Sequence, residues 1–224
     1  MPVSETPKAG SRRAGRPSGE EAERLGDAML DAAKRLFMEQ GFAGTSMEAI
    51  AEAAGVTKRT LYRHLPDKIA VFEAAVRRHA AEHAMPPLPA DPGATLENRL
   101  LAAADHILGW ILQPEVLAMY RVTVAEALRF PVLARIVFAI PVADTTAAIG
   151  HILTEMAPGA AAEDLGFAAE QFMHAVASGP FHKAVQGIEP PGLTAAKREH
   201  AHRGVRLFLA GAQQTCLAGR GAER

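Results

Sequence analysis

The chain has 224 residues, room for one large or two small domains with a real core. Its 24 Lys and Arg stand against 25 Asp and Glu, a formal charge of −1, so any affinity for a polyanion has to come from a local patch. Aromatic residues are few, alanine is abundant and no stretch alternates with period two, so the expected fold class is all-α. The single cysteine, Cys216, excludes an intrachain disulfide and a cysteine-built zinc site, and its apolar neighbours point to an inert thiol. No uninterrupted apolar run of about eighteen residues and no signal-peptide core occur, so a cytoplasmic chain with no membrane partner is expected.

Residues 1–19 are rich in Pro, Gly and Ser and carry Lys8, Arg12, Arg13 and Arg16 against Glu5. This reads as a flexible basic arm, either a solvated tail or a segment that follows DNA phosphates and places Arg12, Arg13 and Arg16 in a minor groove. A first helix is expected from about Glu20 to Glu39, with Met29, Leu30, Ala33, Leu36 and Phe37 at helical spacing and Gly41 as its stop. Thr45 followed by Glu48 has the spacing of a capping box, so a second helix starts at Thr45 or Ser46. Gly55 ends it, Thr57 caps a third, and Pro66 closes that one. Leu61 and Leu65 share the third helix's inner face, which leaves Lys58, Arg59, Tyr62 and Arg63 pointing largely outward. Between Thr57 and Lys68 the cations Lys58, Arg59, Arg63 and Lys68 face Asp67 alone, so basicity gathers where a helix could enter a groove.

The stretch from Gly41 to Phe72, GFAGTSMEAIAEAAGVTKRTLYRHLPDKIAVF, resembles the DNA-binding domain of the TetR/AcrR family of transcriptional regulators. The shared features are its G-F-x-x-T-S start, the I-A-x-x-A-G-V centre, the T-L-Y-x-H helix and the lysine that follows, Lys68; Leu65 and Arg63 depart from the aromatic residues usual there. The resemblance implies a three-helix helix-turn-helix domain in residues 20–84, linker helix included, and double-stranded DNA as partner. Lys58, Arg59 and Thr60 are then expected at base edges, while Thr45, Ser46, Tyr62, His64 and Lys68 hold phosphates, with Thr57 and Arg63 in the same face.

A fourth helix should carry Ile69, Phe72, Ala75 and Val76 inward and run toward Glu82. Within it His79, Glu82 and His83 fit H-x-x-E-H, a spacing that can serve zinc hydrolysis. The helix is short and polar and no third ligand is evident, so exposed linker histidines are expected, with no metal, no cofactor and no enzyme. His200 and His202 are two apart and lie on different helix faces.

The segment MPPLPADPG, Met85 to Gly93, breaks the chain with four prolines and a glycine. A second domain, 94–218, is expected beyond it. Its helices begin with Leu96 to Ile111 and with PEVLAMYRVTVAEALRF from Pro114, where Tyr120, Arg121, Thr123, Glu126 and Arg129 interrupt an apolar run. A short helix follows from Pro131, then helices over Pro141–Met156, Glu163 to about Val185, and Thr194–Leu217. Aliphatic walls with a few polar groups suit a cavity for a small, largely apolar effector, with His106, Trp110, Met119, Tyr120, Thr123 and Phe130 as its candidate lining. YRVTVAEALRF resembles the C-terminal domain of the AefR-like branch of the same family.

That family dimerises through its last two helices as a four-helix bundle, which implies an interface here over Phe167, Ala168, Gln171, Phe172, Val205, Phe208, Leu209 and Ala212. A two-fold dimer implies a palindromic operator with reading helices about 34–36 Å apart. The expected function is thus a homodimeric regulator, a repressor released by an effector; an effector-independent architectural DNA-binding dimer is the alternative.

Overall fold

The computed structural model describes residues 19–154 and 157–215, and every regular element in that range is a helix. Arg12, Arg13, Arg16 and Cys216 lie outside the described residues. Helix α1, Gly19–Gly44, is broken at Gly41, whose φ of 71° only glycine adopts without strain; the chain turns there and drops Phe42 into the core. Helix α2, Met47–Ala53, is capped by Ser46, whose hydroxyl accepts from the Ala49 amide at 3.1 Å. The expected capping box is therefore out by one residue. Thr45 instead donates its hydroxyl to the Gly41 carbonyl at 2.9 Å, and Glu48 reaches Lys58. Gly55, at φ 66°, ends α2: its amide donates to Glu52 and that of Val56 to Ala51, the paired bonds of a Schellman turn.

Helix α3, Lys58–His64, starts from Thr57, whose hydroxyl oxygen accepts from the Thr60 amide at 3.1 Å. Helix α4, Lys68–Glu82, is capped by Asp67, which the sequence reading passed over. Its inner face is Val71, Phe72, Ala75, Val76 and His79, while Ile69 turns out to be largely exposed.

Helices α5, Leu96–Ile111, and α6, Pro114–Ala125, form a hairpin. Contrary to the expected single helix to Phe130, α6 stops at Ala125, and the Arg129 and Phe130 amides both fold back onto the Glu126 carbonyl. Helix α7, Pro131–Ala134, then runs through a π-helical turn, Arg135–Ala139, into α8, Ile140–Leu153, where two separate helices were expected. Pro141 has no amide to give to the residue four before it, and a π turn takes up the misfit: the Ile140 amide donates to Arg135. The stretch Pro131–Leu153 is long and apolar enough to cross a membrane by length and composition, which qualifies the expectation of no spanning segment; here α8 packs along α9 and α5 as a bundle helix. Helices α9, Ala162–Val185, and α10, Ala195–Thr215, complete the fold and pack on each other.

Two buried clusters result. One lies among α5, α6, α8, α9 and α10, around Leu100, Ile107, Leu117, Ile149, Phe172 and Val205. The other belongs to α1–α4, around Met29, Phe37, Phe42, Ile50, Leu61 and Phe72, and it is completed by Met119 and Val122 of α6 and Leu133 of α7. The N-terminal core is thus shared with the C-terminal half.

At that junction His79 is 3 % exposed and its Nδ1 has no hydrogen-bond partner, while its ring stacks on His83 at 4.1 Å. Burial first, then the neighbouring His83 and Lys34, holds its pKa down to about 4 from the usual 6.5. Glu82 is also depressed, to about 2, chiefly by its 2.7 Å bond from Lys34 and also by that from Arg78. The unfolded chain binds a proton at residue 79 near pH 6.5 and the folded one only near 4, so this residue's contribution is fully present above pH 6.5 and is lost as pH falls toward 4. Glu82 loses its contribution only below about 4.5. Urea unfolding between pH 7.5 and 4.5 should therefore show stability falling with pH in the wild type and a distinctly shallower fall in His79→Leu.

Candidate nucleic-acid interface

Helices α2 and α3 stand at one end of the molecule, joined by the Gly55 turn. The Lys58 ammonium pairs with Glu48 at 2.9 Å, which draws the start of α3 against the start of α2 and lowers the Glu48 pKa. Arg59, Tyr62, Arg63 and His64 are exposed, and Arg59 and Arg63 have no hydrogen bond or ion pair among the described residues. Thr57 and Thr60 share a hydroxyl–hydroxyl contact of 2.9 Å at the amino end of α3. Leu61, fully buried, and the half-buried Leu65 anchor the helix from below. An exposed basic face on an anchored short helix, its two arginines unpaired among the described residues, is the arrangement that fits a DNA groove.

Two members of the expected phosphate set are engaged elsewhere. Thr45 is 2 % exposed and its hydroxyl serves the Gly41 carbonyl. The Lys68 ammonium donates to the Phe42 carbonyl at 2.9 Å and the Thr45 carbonyl at 3.0 Å and lies 4.5 Å from the centre of the Phe42 ring. Both residues close the α1–α2 turn onto α4. Ser46 is exposed, but its hydroxyl oxygen caps α2.

The candidate effector residues are not gathered into one cavity. His106 donates to the Pro86 carbonyl at 2.9 Å and Trp110 to the His83 carbonyl at 2.8 Å, so both fasten the 83–86 linker. Met119 is fully buried in the N-terminal core, and Thr123 bonds back to the Met119 and Tyr120 carbonyls of its own helix. Phe130, released by the early end of α6, packs on Phe42 and Phe72 with ring centres 5.3 and 5.4 Å apart. Tyr120 is half-buried; its ring packs on Phe138 and Phe181, and burial raises its hydroxyl pKa. Arg121 donates to the Ala184 and Val185 carbonyls at the end of α9, a helix-terminal cap.

The candidate interface residues divide as well. Ala168, Phe172, Val205 and Ala212 are buried within the protomer, where Phe172 meets Phe208 edge-on at 5.6 Å, so they hold α9 to α10, while Ala168 and Ala212 also line a surface groove with Gln171 and Leu207. Phe208 and Leu209 are partly buried. Phe167, 52 % exposed, Gln171 and, unforeseen, Leu207 at 76 % line the outer side. The small side of this packing is Gly204, where a Cβ would come within 2.7 Å of the Ala175 carbonyl oxygen.

Comparison with known proteins agrees with this architecture. Residues 29–75 match the bacterial regulatory proteins of the tetR family, and residues 98–211 match the AefR-like transcriptional repressor C-terminal domain. The chain belongs to the TetR family. It is similar to the flavonoid-responsive regulator FrrA, 31 % identical with a TM-score of 0.64 over 84 % of this chain and 96 % of that one. A TetR-family regulator of Mesorhizobium loti is 25 % identical over 85 % of this chain and 97 % of its own, with a TM-score of 0.68. AcrR of Shigella flexneri is 44 % identical over 57 residues, 25 % of this chain, and the match spans only 26 % of that protein. A TetR-family regulator is a DNA-binding protein and not an enzyme, and the H-x-x-E-H geometry accords with that: Glu82 is tied to Lys34 and Arg78, and His79 is enclosed.

Lys68 offers a direct check on the assignment of its ammonium. Lys68→Met leaves two carbonyls without their donor and should lower the unfolding free energy by about 1–3 kcal/mol in a urea melt. An unchanged melt would return the ammonium to the phosphate-holding set.

Proposed function

We propose that this TetR-family chain is a homodimeric repressor, released from a palindromic operator by a small, largely apolar effector. The observation that carries the reading is the likeness to FrrA along nearly the whole of that chain, together with the exposed basic face of α3. FrrA is flavonoid-responsive, and a planar polyphenol is the effector class proposed here. Lys58, Arg59 and Thr60 read base edges, with Lys58 exchanging Glu48 for DNA; Tyr62, Arg63 and His64 approach phosphates, and the segment with Arg12, Arg13 and Arg16 adds charge next to them. The second copy docks on the outer side of α9 and α10, over Phe167, Gln171 and Leu207, with Phe208 and Leu209 at its edge.

Release requires that the effector bind one dimer geometry better than the DNA-bound one. The shared N-terminal core supports such coupling, because α6 and α7 cannot shift without moving Phe42 and Phe72. The architectural alternative predicts no effector response at all.

Selection of operators from genomic DNA with the purified protein, followed by titration with flavonoids, tests the reading as a whole. Flavonoid should release the operator, and operator DNA should weaken flavonoid binding by the same factor. Intact repression across a flavonoid panel would favour the architectural dimer. On the selected operator, Arg59→Ala should cost about 1–3 kcal/mol and relax one base position, with the fold unchanged. Leu207→Asp should shift sedimentation toward monomer and abolish tight operator binding.

A further inference from the structure

We propose that the effector site is the groove between α8 and α9 and that it takes a flat, neutral, largely apolar molecule bearing hydroxyl groups; this rests on the effector-responsive reading above. The groove encloses about 810 Å³, within the roughly 300–1,000 Å³ of ligand sites. Its lining includes the small residues Ala147 and Gly150 from α8 and Gly166 from α9, which leave room for a flat body in the slot between the two helices. Its polar lining is Thr146, His151 and Thr154 on the α8 side and Glu170 and His174 on α9, where His174 also contacts the Ser178 hydroxyl at 3.2 Å. A carboxylate accepts from a hydroxyl and repels an anion, while an imidazole donates or accepts, so the set matches hydroxyls on a neutral scaffold.

Phe138 also lines the slot, 43 % exposed and in ring contact with Tyr120 and Phe181 at 5.2 and 6.3 Å. Phe138 is part of the π turn, and Ile136 and Val137 of that same turn pack against the N-terminal core. A ligand that displaces Phe138 therefore pushes on a five-residue turn whose other side chains touch the reading head's own core. The residues that composition alone would choose for a cavity, such as Trp110 and Met119, lie on the far side of that turn, engaged in packing.

The lining glycines make the site testable, because a Cβ at Gly150 or at Gly166 meets nothing within 4 Å and so leaves open space for a larger side chain in the groove's wall. The probe is N-phenyl-1-naphthylamine, a neutral flat fluorophore that brightens when it leaves water, titrated into the full-length protein. Gly150→Phe and Gly166→Phe should each weaken its binding at least tenfold while operator affinity and far-ultraviolet circular dichroism stay as in the wild type. Gly150→Ala, which adds one methyl group, should keep binding within threefold and covers the case in which a phenylalanine variant fails to fold. Absence of binding to the wild type, or equal binding to the wild type and a folded phenylalanine variant, overturns the groove assignment. Failure of flavonoids to displace a bound probe overturns the polyphenol class alone and leaves the groove standing.

Discussion

The ring of Phe42 is the point on which the rest of the molecule turns. Two cations lie over it, the Lys68 ammonium at 4.5 Å and the Arg129 guanidinium at 4.9 Å, and it stacks on Phe37 and meets Phe72 and Phe130 at steeper angles. Such contacts are each worth about 0.5–2 kcal/mol, so together they outweigh any single surface pair in the structure. Their placement matters more than their sum. Lys68 comes from the start of α4, Arg129 and Phe130 from the turn after α6, and Phe42 from the turn after Gly41. One aromatic side chain thereby joins the helix-turn-helix, the linker helix and the C-terminal half.

Regulation in such a molecule needs no long path. The recognition helix is short and is held from beneath by Leu61 in the cluster that contains Phe42, and the same cluster takes Met119, Val122 and Leu133 from the domain that would sense an effector. Under the proposed reading, a change in the C-terminal half would reach the reading head by direct packing. The ion pairs of Arg78 and Lys34 with Asp27, Asp31 and Glu82 keep α1 and α4 aligned, so displacement reaches the reading head as a rigid movement.

What the sequence disclosed follows from how local each signal is. Gly41, Gly55 and Thr57 act within one turn of chain, and the breaks and cap they imply are where the structure has them. Thr45 and Ser46 compete for one cap, and the contest is decided by a carbonyl from the preceding turn, which spacing alone does not reveal. The effector residues failed for a different reason. A period of 3.6 marks an apolar stripe but not which neighbour covers it: Met119 joins the other core from within α6, and the early end of that helix frees Phe130 to do the same. The same ambiguity put Phe172 and Val205 on an outer face when they seal α9 against α10, and it hid Leu207. His79 was legible as a histidine at a linker and not as a buried one, since its enclosure depends on α5, α6 and the π turn arriving from far along the chain.

The hydrogen bond from the indole of Trp110 to the His83 carbonyl has a practical side. Trp110 is the single tryptophan in the sequence, and it touches the end of the linker helix, the stacked imidazole pair and the π turn around a void of about 30 Å³. Every photon of tryptophan emission therefore originates at the joint between the two halves. The protein carries its own unlabelled spectroscopic gauge of that joint, readable in dilute solution and on the timescale of mixing.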